Sequence, residues 1–126
     1  MSSTVRSFRI ALLILGATLT ASVAQAQQKT FTLDPAKTTV NFTVDSTLHT
    51  VHGDFRLKRG SIQFDNSTGA ASGELVVDSA SGESGSDGRD KRMHKDILES
   101  PKYSDIVFIP QRITGTVASD GKSMVE

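Results

Sequence analysis

The chain contains no cysteine. Disulfides cannot hold it together, so its stability must come from burial. No cysteine follows the N-terminal apolar stretch either, which argues against a lipoprotein anchor. No glycine-rich phosphate loop is present, and the many serines sit in loops with no motif around them. An enzyme needs a nucleophile–base pair or paired carboxylates held at one site. None is visible, and a non-catalytic protein is expected. Charge of one sign is also lacking: Lys+Arg and Asp+Glu stand at 14 each. So weak a field argues against nucleic-acid binding. The apolar run Ile10–Leu15, continued weakly through Ala17 and Leu19, falls well short of the roughly 20 residues that span a bilayer. No stable membrane span is expected.

What the first residues do contain is the layout of a secretory signal peptide. Arg6 and Arg9 precede that short apolar core, and Ala24-Gln25-Ala26 supplies an A-x-A cleavage signal. An N-terminal membrane anchor is the competing reading. Residues 1–26 are expected to be removed on export, to the periplasm or beyond, leaving a mature chain from Gln27. The leader carries two arginines and no carboxylate, so the mature chain is about two charges negative. Residues 27–126 suffice for one small domain. At the far end Ser119–Lys122 reads as a hairpin turn. Ser123–Glu126 would then open a return strand, and the domain is expected to be incomplete at its C-terminus.

Between these ends the signal is period two. Phe31-Thr32-Leu33 alternates until Asp34-Pro35. Val40, Phe42 and Val44 alternate with Asn41, Thr43 and Asp45. Val51, Gly53, Phe55 and Leu57 form the next face, Lys58-Arg59-Gly60 reads as a turn, and Ile62 and Phe64 resume. Asp65–Gly69 is a loop by composition. Leu75 and Val77 mark another strand, and Ile113, Gly115 and Val117 a late one. About seven short strands joined by turns indicate a sandwich or a barrel, and mostly up-and-down order favours the barrel.

One stretch breaks the pattern. Ser79–Gly88 is serine- and glycine-rich and reads as a flexible connection or a mobile lid. Arg89–Leu98 reads as a helix with Asp87 as N-cap and with Met93, Ile97 and Leu98 as its apolar stripe. Ser100-Pro101 ends it. Ile106–Ile109 is continuously apolar, as suits a strand buried on both faces, and Pro110 suggests an edge or bulge. Arg89, Lys91, Arg92 and Lys95 make either a phosphate-attracting cluster or a solvated helix face. His49 and His52, three apart on a strand, point to opposite faces, and His94 has no partner ligand nearby. No metal is expected.

Three segments in this order resemble the YceI-like family of exported polyisoprenoid-binding proteins. FTLDPAKTTVNFTV (Phe31–Val44) is similar to the family's aromatic–acid–proline–strand opening. VHGDF (Val51–Phe55) resembles its hydrophobic–x–Gly–x–Phe strand. RDKRMHKDILESPKY (Arg89–Tyr103) resembles its Arg-Asp helix and the aromatic ahead of a buried strand. Ser104 departs from the proline usual there.

The resemblance implies an all-β, lipocalin-like antiparallel barrel with one short helical insertion, holding an isoprenoid or similar long-chain lipid and no other cofactor. On that reading Phe42, Val44, Phe55, Leu57, Ile62, Phe64, Val77, Ile106 and Phe108 line the lipid, with Tyr103 and Arg89 as candidates at the mouth, Arg89 for the head group. Alternation alone leaves two outcomes open, since a small barrel's inward side chains either fill it or leave a cavity. A packed structural or stress-response domain is the alternative.

Overall fold

The computed structural model describes residues 27–118 and 120–126. The expected leader, residues 1–26, lies outside the described residues. Five strands form one antiparallel sheet: β1 (Gln28–Leu33), β2 (Thr39–Asp45), β3 (Thr50–Asp65), β4 (Ala71–Asp78) and β5 (Asp105–Phe108). The path is β1-β3-β4-β5, with β2 also on β3. β1 pairs with the second half of β3 and β2 with the first half. They take consecutive stretches of one long strand, split by a 3-10 turn at Pro35–Lys37. The Asp34 carboxylate caps that turn by accepting from the Ala36 N–H at 2.9 Å.

The expected barrel is not closed: no ladder among the described residues joins β5 back to β1 or β2. The expected turn at Lys58-Arg59-Gly60 is also corrected. β3 runs through it, and the register shifts between Leu57 and Arg59. One extra residue in one strand is a bulge, and it moves the inward positions from odd to even numbers. Val51, Phe55 and Leu57 therefore share a face with Ile62 and Phe64. Lys58 and Arg59 turn to the other face, where they pair with Asp105 at 2.5 Å and Glu74 at 3.3 Å.

The buried apolar core sits on β3 and β4, at Leu57, Phe64, Val76 and Val77. β5 is largely exposed, with only Ile106 half-buried: Val107, Phe108 and the following Ile109 are each more than half accessible. The expectation of burial on both faces fails here because neither face of this outer strand is covered, Val107 being exposed on one and Phe108 on the other.

The insertion is helical, as expected. α1 (Asp87–Arg92) continues into a π turn, Met93–Ile97, and Ser86 rather than Asp87 is its N-cap. Ile97 is 72% exposed, so the apolar stripe reduces to Met93 and Leu98, both half-buried. The π turn rotates Ile97 off the face that a regular helix gives it. Near the C-terminus Gly115 forms an isolated antiparallel bridge with Val125, Thr114 and Glu126 exchange two backbone hydrogen bonds, and Gly121 has φ +80, while Ser119 of the expected turn lies outside the described residues.

Candidate functional site

Side chains alternate across a strand, so the register fixes which residues share a face. Read across the ladders, the rows of one face are Val44 and Val51, Phe42 and Gly53, and Val40 and Phe55. Next come Leu57, Val77 and Ile106, then Leu33, Gly60, Leu75 and Phe108, then Phe31, Ile62 and Gly73. Lys29, Phe64 and Ala71 close the series. All nine strand residues named from the sequence as lipid-lining lie on this one face.

Two aromatic pairs mark its ends. Phe31 and Phe64 stack with centroids 5.4 Å apart and planes 5° from parallel. Phe42 and Phe55 sit 5.3 Å apart and tilted. Gly53 is required at the second pair, because a Cβ there would lie 2.2 Å from the Phe42 ring. The face is neither an enclosed void nor uniformly packed. Leu57, Phe64 and Val77 are buried, while Val44 is 56% and Phe108 58% exposed. The exposed apolar residues thus lie on either side of a buried middle row, Leu57 and Val77.

The two mouth candidates lie elsewhere. Tyr103 is exposed beyond the helix, with the Lys102 ammonium 4.9 Å from its ring centre. The Arg89 guanidinium is committed to Ser84, donating to its Oγ and its carbonyl at 2.7 Å each. A groove of about 690 Å³ runs between the helix and the Ala80–Glu83 segment, lined also by Lys91, Lys95 and Lys102. None of its lining residues belongs to the strand rows. Gly82 nonetheless forms a thin partition, since a Cβ on it would lie 2.5 Å from the Phe55 ring.

The segment expected to be flexible is instead pinned by its serines. Ser79 and Ser81 are buried. The Ser81 hydroxyl accepts from the Arg56 N–H at 2.8 Å and donates to the Asp78 carbonyl at 2.6 Å. Glu83 exchanges two backbone hydrogen bonds with Asp54. Composition reads serine as loop-forming, but a serine hydroxyl can equally complete a sheet edge.

His94 is the unforeseen centre of this region. Its Nε2 lies 2.8 Å from the Gly82 carbonyl, which can only accept, so Nε2 carries the proton. Its Nδ1 lies 2.7 Å from Ser100 Oγ, which in turn lies 2.9 Å from Ser79 Oγ. This is a serine–histidine contact, but Ser100 is 4% exposed and offers no approach to a substrate. It ties the helix to the end of β4. His52 meets only Thr43, at 3.1 Å, and the described residues contain no group of side chains able to hold a metal ion.

Asp90 closes the loop onto the helix. The Ser84 hydroxyl donates to its carboxylate, as does the Ser84 N–H at 3.0 Å. The hydroxyl contact chiefly holds the acid below the usual carboxylate range, with the Ser84 N–H and Arg89 assisting and burial opposing. The folded value is depressed, so this stabilisation is present above the unfolded value of about 3.9 and is lost as pH falls through the lower folded value. The Asp90→Asn protein should therefore melt below wild type at pH 7. The difference should shrink as pH drops below about 4. A difference of constant size down to pH 3 would show that the carboxylate's charge is irrelevant.

Gly53 stands in the sequence as part of the Val51–Leu57 face, whereas Lys29, Gly73 and the anchoring role of Ser79–Ser84 go beyond what the pattern of residues discloses directly. Lys29 was visible in principle, since alternation carried back from Leu33 and Phe31 reaches it.

The family model for the YceI-like domain matches residues 31–124, and the chain belongs to that family. No curated protein matches the chain.

Proposed function

We propose that this YceI-like protein is an exported, non-catalytic carrier that holds an isoprenoid chain along the apolar face of its sheet. A lipocalin-like barrel closing around that face would remove the chain from water. The observation that carries the reading is the single face shared by Phe42, Val44, Phe55, Leu57, Ile62, Phe64, Val77, Ile106 and Phe108. Family membership supports an isoprenoid as the occupant. The driving force is area burial at roughly 25 cal/mol per Å². Such contact is non-directional, so recognition along the tail is loose. Export rests on the charged, apolar and A-x-A elements of residues 1–26. Arg89 is not the head-group ligand in this proposal, because Ser84 already occupies it.

Mass spectrometry of lipids that co-purify with the exported protein tests the reading. An isoprenoid should be found on a chain beginning at Gln27. If none co-purifies and the delipidated, folded protein takes up no long-chain isoprenoid, the packed structural domain is the better account.

A further inference from the structure

Lys29 is the one charged side chain on the strand rows of the apolar face. It lies at the end of that face, opposite Phe64 in register and two residues from Phe31, beside the stacked aromatic pair. It is half-buried. Other cations of the sheet are managed differently. Arg56, Lys58 and Arg59 turn to the opposite face, Lys58 and Arg59 each with a carboxylate partner and Arg56 exposed to solvent. Lys29 forms no ion pair with any described residue. Every acidic residue of the strands, Asp45, Asp54, Asp65, Glu74, Asp78 and Asp105, falls on the other face by alternation.

Withdrawing an ammonium from water without a partner is costly, whereas its methylene stem suits an apolar neighbour. An apolar face ending in one unpaired cation matches an amphiphile with a long tail and an anionic head. We propose that Lys29 is the head-group residue, and that the preferred ligand is a long-chain phosphate ester whose tail runs from Phe31 and Phe64 toward Phe42 and Phe55. From Phe64 to Phe55 that path follows β3 for about 30 Å at roughly 3.3 Å per residue. The inference rests on the carrier reading and adds the polarity of the ligand to it.

The test uses two probes with identical tails, geranylgeranyl phosphate and geranylgeraniol, titrated into delipidated protein. Wild type should prefer the phosphate by at least about tenfold, the effect of one charge-assisted hydrogen bond. Lys29→Met and Lys29→Gln should bring that ratio close to one, and Lys29→Arg should keep it. Lys37→Met, in the exposed Pro35–Lys37 turn, is the charge control and should keep the wild-type ratio. Thermal melts without ligand identify the folded variants. A wild-type ratio near one, or an unchanged ratio in both neutral variants, overturns the inference while leaving the carrier reading intact. Lys29-dependent binding of inorganic phosphate alone also overturns it, since the site would then serve a free anion. If folded wild type binds neither lipid, the carrier reading falls and takes this inference with it.

Discussion

A Gly73→Val protein is expected not to fold. Gly73 lies in β4 at φ +112, opposite Ile62 in the central ladder. A Cβ at this position would stand 2.1 Å from the Ser61 carbonyl oxygen and 3.2 Å from the Ile62 Cα. Those atoms are backbone, so no rotamer change relieves the overlap. The positive φ alone costs a β-branched residue on the order of 1–3 kcal/mol. Separating β3 from β4 to make room would disturb the ladder that carries Leu57, Phe64 and Val77. A small domain has only about 5–15 kcal/mol in total. The combined loss should exceed about 4 kcal/mol, among the largest that single substitutions produce. Gly88→Ala is the comparison, because nothing lies within 4 Å of a Cβ there and the residue is helical. It should be neutral or stabilising by up to about 1 kcal/mol. Urea unfolding followed by circular dichroism decides the matter. A Gly73→Val midpoint equal to wild type would mean that β4 does not approach β3 as described.

The sequence discloses faces better than connections. β2 is plain because Val40, Phe42 and Val44 alternate without interruption. At Lys58-Arg59-Gly60 the apolar positions change from odd to even, and a turn and a bulge both produce that change. Only the pairing of β3 with β4 on either side decides for the bulge. The shared apolar side follows from alternation, which is why the candidate strand residues come together. Tyr103 and Arg89 were assigned by motif rather than by periodicity, and they lie off the face. Ser79–Gly88 looks flexible by composition because the hydrogen bonds to Ser81 and Ser84 arise from residues distant in sequence or across a turn. Ile97 and β5 are more exposed than their apolar pattern suggests because burial depends on which neighbours arrive, and periodicity is silent on that.

The same face should divide its labour between stability and binding, and two phenylalanines on it measure the division. Phe64 is 2% exposed and stacked on Phe31. Truncation to alanine leaves a cavity and should cost about 3–5 kcal/mol in urea unfolding. Phe108 is 58% exposed at the outer strand, paired with Leu75. In the absence of ligand its ring is removed from water only in part, so Phe108→Ala should cost no more than about 1 kcal/mol. The exposed portion of that ring is what a lipid tail can cover. Fully burying a phenylalanine is worth about 1.5–3 kcal/mol, and roughly half of that remains available here. Phe108→Ala should therefore weaken geranylgeraniol binding by about tenfold, corresponding to about 1.4 kcal/mol. Phe64→Ala should show the reverse profile, with a large drop in stability and a binding loss secondary to it. Equal destabilisation by the two substitutions would mean that another part of the protein already covers Phe108. An unchanged lipid affinity in the folded Phe108→Ala protein would place the tail somewhere other than along this side of β5.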